Sequence, residues 1–132
     1  MAYSLKVMDH YLHPRCAGSL DEPLQHIGTA LVGSPLTGAV IRIQIHVDED
    51  TQMIKAARFK TYGCGYAIAT SSLLCEWLTG LSLEDALHID AQAINYELEL
   101  PPVKYVCSKL AVKAIRNAIR DYRHKHPVKM AS

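Results

Sequence analysis

The sequence predicts a single α+β domain over residues 1–132, in which a β-hairpin lies between helices. Three observations predict it. Apolar β-branched residues alternate with polar ones over residues 41–47, which is typical of a strand with one buried face. An apolar helical pattern covers residues 67–78. A second helical pattern begins after two prolines and covers residues 106–122.

The segment before the hairpin predicts one short helix and then a long loop. Ser4 is a favourable N-cap residue, and Pro14 ends the helix. From there to about Gly38 the chain is rich in glycine, proline and serine, so we expect a long loop of a kind that is often functional. The apolar residues that share one face of the short helix, and that we expect to face the core, are Leu5, Met8, Tyr11 and Leu12.

The hairpin carries a first prediction about register. Residues 48–51 supply a polar turn, and the returning strand alternates less clearly, which indicates a bulge. If the turn centres on residues 49–50, the numbers of facing residues sum to about 99 or 100. Residue 37 would then lie beside Gly63 and Cys64, at one rim of the sheet.

Length and charge limit the function classes. The chain has 132 residues and a formal net charge of +1, which does not favour a nucleic-acid or membrane partner. No apolar run approaches the roughly 20 residues of a membrane span, and the start lacks a signal-peptide pattern. We therefore expect a cytoplasmic protein or one in a similarly reducing compartment. The cations of residues 120–126 suit the solvated C-terminal end of a helix.

Four cysteines are expected to be thiols or metal ligands, not disulfides. Cys64 lies between two glycines just before a predicted helix, and Cys107 lies in the first turns of the last helix. Helix N-termini favour thiolate, so these two form a candidate pair. The alternative is that both are unrelated small apolar residues of a core. Cys75 is predicted to pack inside a helix, and Cys16 to be a tolerated loop thiol.

Three stretches together resemble the IscU/NifU-N family of iron–sulfur cluster assembly scaffolds. They are the opening "MAYSLKVMDHY", the centre "ARFKTYGCGYAIATSSLLCEWLTG" and the later "ELELPPVKYVCSKLAVKAI". The combination of "FKTYGCG" with "ELPPVK" and a following "CS" is specific, and the likeness runs nearly end to end. The resemblance implies a small antiparallel sheet packed against several helices, and a scaffold rather than an enzyme.

The resemblance also implies partners. Members of the family accept sulfur from a cysteine desulfurase, form a [2Fe–2S] cluster, and pass it on with a DnaK-like chaperone and its J-protein. Ferredoxin and a frataxin-type protein are further candidate partners. The family's chaperone-binding segment matches five consecutive residues here: Leu100, Pro101, Pro102, Val103 and Lys104.

The chain departs from the family at its cluster site, which uses three cysteines with an aspartate and a histidine nearby. Cys64 and Cys107 match, and the resemblance makes them metal ligands and sulfur acceptors. Thr37 stands where the family has cysteine, Ala39 where it has aspartate, and Val106 where it has histidine. A [2Fe–2S] cluster and a structural zinc site each require four ligands. We therefore expect iron, a cluster or zinc to be bound weakly or at a shared site.

Three interpretations stay open. A second copy of the chain in a homo-oligomer, glutathione or a partner could complete the ligand set. Alternatively, the chain is a degenerate scaffold that regulates the desulfurase or the chaperone. In the third interpretation it is a sulfur relay that accepts persulfide at Cys107 or Cys64 without building clusters.

Overall fold

A computed structural model describes residues 3–126, and in this range it has the predicted α+β architecture. Three antiparallel strands form one sheet in the order β1-β2-β3. Short 3₁₀ turns at Leu24–His26 and Pro102–Lys104 precede β1 and the last helix. The helices and strands are α1 Leu5–Leu12, β1 Ile27–Gly33, β2 Val40–Val47, β3 Ile54–Tyr62, α2 Gly65–Leu78, α3 Leu83–Leu87, α4 Ala91–Leu98 and α5 Tyr105–Lys125.

The core lies between one face of the sheet and the helices. The alternating apolar residues of β2 that the sequence predicted to be buried are buried: Ile41, Ile43, Ile45 and Val47. α5 packs across β1 and β2, and α2 packs against β3. At Gly28 an added Cβ would lie 2.2 Å from the carbonyl oxygen of Ala118, so only glycine permits this close approach of β1 to α5.

The expected long loop is wrong in part, because its second half contains β1. Ile27, Ala30 and Val32 of this strand are buried against the helices, while Leu31 points outward. The strand pairs with β2 from Ile27 opposite His46 to Gly33 opposite Val40.

The predicted inner face of α1 is also wrong. Ser4 caps the helix as expected, and its hydroxyl accepts a hydrogen bond from the Val7 amide. The buried residues are Val7 and His10, and the His10 Nδ1 lies 2.7 Å from the Ser72 Oγ. By contrast, Leu5 is 87% exposed. The reason is that α1 packs on α2, and the hydrogen bond between His10 and Ser72 turns that side of the helix inward.

The predicted register is wrong, although the predicted bulge is present. Val40 faces Tyr62, whereas the sequence argument placed residue 59 or 60 there. The turn is longer than expected, since the Gln52 amide bonds to the Asp48 carbonyl, and Lys55 has no facing residue at the register shift. The β2–β3 ladder therefore ends just before Gly63 and Cys64.

The remaining helices complete the layer beside α5. Ser82 caps α3, and its hydroxyl accepts a hydrogen bond from the Asp85 amide. Asp90 caps α4, which the sequence argument missed. Among residues 3–126, no helix combines the length and the apolar character needed to cross a membrane.

Candidate functional site

Cys64 is the N-cap residue of α2, and its side chain is exposed. Gly63 has φ +151, and an added Cβ there would lie 3.1 Å from the Cβ of Ala39. An added Cβ at Gly65 would lie 2.7 Å from the hydroxyl oxygen of Tyr3. The absence of side chains at Gly63 and Gly65 allows close packing on both sides of Cys64. The two glycines let the loop before β2 and the N-terminal tyrosine pack closely on either side of the thiol.

Cys107 is the third residue of α5 and is only 2% exposed. Its thiol lies against that of Cys64, so the structure brings the predicted pair together. Burial and, after it, the neighbouring Cys64 raise the pKa of Cys107 to about 11, against the opposing charge of Lys104. The expectation that the helix start favours thiolate at Cys107 is therefore wrong, because burial raises the pKa of this thiol by more than the charge of Lys104 lowers it.

Lys104 belongs to this site. Its Nζ lies 4.0 Å from the Cys64 Sγ and 5.3 Å from the centre of the Tyr66 ring. The Lys104 side chain is half-buried. The ammonium group of Lys104 therefore lies beside the Cys64 sulfur.

The segment between α4 and α5 presents few side chains to solvent. Glu99, the C-cap residue of α4, has φ 52, and Leu100 then turns inward and is buried. Pro102–Lys104 forms a 3₁₀ turn that leads into α5. Of the five residues of the predicted chaperone-binding segment, only Pro102 and Val103 are exposed.

The three positions where the family's ligands are replaced offer no thiolate, carboxylate or imidazole to a metal. Thr37 is exposed in the loop between β1 and β2, and its hydroxyl accepts a hydrogen bond from the Ala39 amide. Ala39 is buried, and Val106 is half-buried and packs against the core. Within the described range of the chain, no three His, Cys, Asp or Glu side chains are grouped to hold a metal ion. Two thiols from one chain do not fit a four-ligand cluster or zinc site.

The family model of the NifU-like N terminal domain matches residues 2–129. The chain belongs to this family. It is 56% identical over 125 residues to the iron–sulfur cluster assembly scaffold protein IscU of Haemophilus influenzae, a match that covers 95% of this chain and 98% of that protein. It is 53% identical over 132 residues to IscU of Rickettsia prowazekii, with both chains covered completely.

A solved structure supports the fold of this NifU-N chain. It is the N-terminal part of a NifU-like protein from Brucella abortus, with a TM-score of 0.74 and 17% sequence identity. The match covers 92% of this chain and 94% of that one. The family resemblance and the α+β fold drawn from the sequence are therefore confirmed.

Two further cysteines of this family member lie apart from the pair. Cys75 is buried inside α2, as predicted, and burial raises its pKa. It is separated from Cys64 by about 16 Å at the helical rise per residue. Cys16 is half-buried in the segment after α1, and its carbonyl accepts a hydrogen bond from the Phe59 amide.

A pair of tyrosine rings beside the thiols was not predicted from the sequence. The rings of Tyr3 and Tyr66 meet edge to face with their centres 4.7 Å apart, and Tyr66 also lies under Lys104. The available signal was a tyrosine two residues after Cys64, in the first turn of α2.

Proposed function

We propose that this chain is an iron–sulfur cluster assembly scaffold, not an enzyme, that accepts sulfur from a cysteine desulfurase and holds or passes on clusters. The observation that carries the proposal is the contact of Cys64 with both Cys107 and Lys104. Two thiols and one cation in contact, with one thiol at the surface, form a site suited to sulfur transfer. The scaffold names of its relatives support the same role.

Cys64 is the first acceptor in this proposal, because it is exposed whereas Cys107 is buried. The Cys64 thiolate attacks the terminal sulfur of the desulfurase persulfide, the S–S bond of the donor breaks, and the donor cysteine leaves as a thiolate. Lys104 stabilises the negative charge on the sulfur during this exchange.

Cys107 is the second acceptor. Once deprotonated, its thiolate attacks the terminal sulfur of the Cys64 persulfide, and Cys64 leaves as a thiolate. The raised pKa of Cys107 makes this step slow until a base takes the proton or an incoming metal ion displaces it to solvent.

The cluster is cargo, and we propose that two chains share it. Two thiols from each of two chains make the four ligands of a [2Fe–2S] cluster. Glutathione or a partner protein is the other source of the missing ligands. Iron or zinc alone would bind weakly, because water would fill the positions that two thiolates leave open.

The proposed partners follow from the family and from what the surface offers. A DnaK-like chaperone with its J-protein would recognise Leu100–Lys104 through the exposed Pro102 and Val103. Ferredoxin and a frataxin-type protein are proposed as further partners in assembly. The free thiols suit a reducing compartment such as the cytoplasm.

A second candidate function is a degenerate scaffold that acts as a sulfur relay or regulator without building clusters. The packing of Ala39 and Val106 favours it, since both positions are occupied by apolar side chains held in or against the core.

One experiment separates the two candidates. The reduced protein is incubated with a desulfurase and cysteine, and added sulfur is located by peptide mass spectrometry; parallel samples are reconstituted anaerobically with iron and sulfide. We expect sulfur on Cys64 in the parent and in Cys107→Ser, its loss in Cys64→Ser, and no change in Cys16→Ser. We also expect a dimer with about one iron per chain, because a two-iron cluster is shared. Sulfur transfer without any cluster would favour the relay, and absence of both would exclude the scaffold and the relay.

A further inference from the structure

A stripe of four cations runs along one face of α5. Lys109, Lys113, Arg116 and Arg120 are all exposed. Their spacings of four, three and four residues place them on the same side of the helix. At 1.5 Å per residue the stripe is about 16 Å long. We call these four residues the basic stripe.

The basic stripe borders a groove between α5 and the segment that carries α3 and α4. Two cavities of about 370 and 460 Å³ lie there, and both are lined by Arg116 and Arg120. Apolar side chains also line the groove: Leu87, Ala91, Val112 and Ile119. An occupant therefore meets positive charge and apolar surface side by side.

Within residues 3–126 no carboxylate pairs with the basic stripe. The ion pairs that α5 makes in that range join Arg123 to Glu84 at 3.0 Å and Lys125 to Asp121 at 3.2 Å. The helix carries six Lys and Arg residues against a single Asp, although the whole chain has a net charge of only +1.

The start of the basic stripe is unfavourable for the isolated helix. Cations near a helix C-terminus are stabilised by the macrodipole, which accounts for the basic end at residues 120–126. Lys109, however, lies in the second turn of α5, far from that C-terminus, and its neighbour Lys113 lies one turn away and repels it. The solvated C-terminal end of the helix therefore explains only part of the basic stripe.

We propose that the basic stripe and its groove bind an amphipathic acidic segment of a partner protein. The Asp and Glu side chains of that segment pair with the cations, and its apolar side chains enter the two cavities. A nucleic acid fits less well, because the net charge is near zero and part of the lining is apolar. The surface begins at Lys109, two residues after Cys107, so the bound partner lies on the helix that carries a site thiol.

The test measures binding of a defined probe to the full chain. The probe is a fluorescent helical peptide of about 16 residues, with leucine on one face and glutamate elsewhere, which is long enough to span the stripe. A peptide with glutamine in place of glutamate and a single-stranded DNA oligonucleotide serve as comparison probes. The variants are Arg116→Glu/Arg120→Glu and the milder Arg116→Gln/Arg120→Gln. A control of equal charge change, Lys55→Glu/Lys60→Glu, alters exposed lysines of β3.

We expect the parent to bind the glutamate peptide in preference to the glutamine peptide, and less tightly as salt is raised. Reversal of both arginines should weaken the Kd at least tenfold, about 1.4 kcal/mol, with a smaller loss for the glutamine variant. The β3 control should stay within about twofold of the parent. No binding of the glutamate peptide by the parent, or an equal loss in the β3 control, would overturn the proposal. Tighter binding of the oligonucleotide would overturn it as well, and would assign the groove to nucleic acid.

Discussion

The environments of Cys64 and Cys107 predict that the two thiols react in a fixed order. Cys64 is exposed, whereas Cys107 is buried and its pKa is about 11 instead of the ordinary 9.0. At pH 8 a thiol of pKa 9 is about 10% thiolate, and one of pKa 11 is about 0.1% thiolate. Ionisation alone therefore makes Cys107 about 100-fold slower than an ordinary cysteine, and burial slows it further.

The informative perturbation is Cys64→Ser. The Cys64 thiol is the second cause of the raised pKa of Cys107, after burial. Without it we expect the pKa of Cys107 to fall but to stay above 9.0, because the desolvation remains. The opposite change is expected in Lys104→Met, which removes the charge that lowers the pKa of Cys107.

The assay is alkylation by iodoacetamide across a pH series, with each cysteine followed by peptide mass spectrometry. The midpoint of the pH profile reports the pKa of the thiol, and the plateau rate reports its accessibility. Circular dichroism confirms that each variant is folded, and Cys75 should stay unmodified in all folded samples because it is fully buried. A Cys107 midpoint at or below 9.0 in Cys64→Ser, or equal rates for Cys64 and Cys107 in the parent, would refute the reasoning.

Two further predictions concern stability. Gly28→Ala would place a Cβ 2.2 Å from the Ala118 carbonyl oxygen, so we expect it to lower the free energy of unfolding by about 2 kcal/mol or more in urea titrations. The control is Gly33→Ala, where the nearest atom lies 3.6 Å from the added Cβ, and it should lower the free energy of unfolding clearly less. Equal losses in the two variants would contradict this account. Burial lowers the pKa of His10 below 6.5, so the unfolded chain binds a proton more readily, and stability should fall as pH drops below about 6.5. His10→Asn should flatten that dependence, and parallel pH curves for variant and parent would show that another group is responsible.

The elements that the sequence predicted well are those with the strongest periodicity. β2 alternates without interruption, and α2 and α5 are long enough for one face to dominate the pattern. β1 was missed because Gly28 and Gly33 interrupt a short apolar run and resemble loop residues. Gly28 is required only because the backbone of α5 passes close to β1 at that point. The sequence alone does not show this approach.

The inner face of α1 could not be predicted, for a different reason. The eight residues of the helix carry apolar side chains on more than one side, so its periodicity is compatible with two orientations. Packing against α2 decides between them, and the polar contact of His10 with Ser72 is part of that packing. The prediction of the buried face of α1 relied on which side chains are apolar, so it chose the leucines and not the histidine that is buried.

The two thiols of the candidate site could be predicted from the sequence, but the position of the Lys104 charge beside them could not. Two cysteines at two helix N-termini indicated a candidate pair, and the structure brings the two side chains together. The resemblance placed Lys104 in a recognition segment, but its ammonium group lies against Cys64. A loss of chaperone response in Lys104→Ala would therefore mix recognition with a changed environment of the thiol. Val103 is 68% exposed, makes no such contact within the described residues, and is the cleaner position at which to test recognition of this segment by itself.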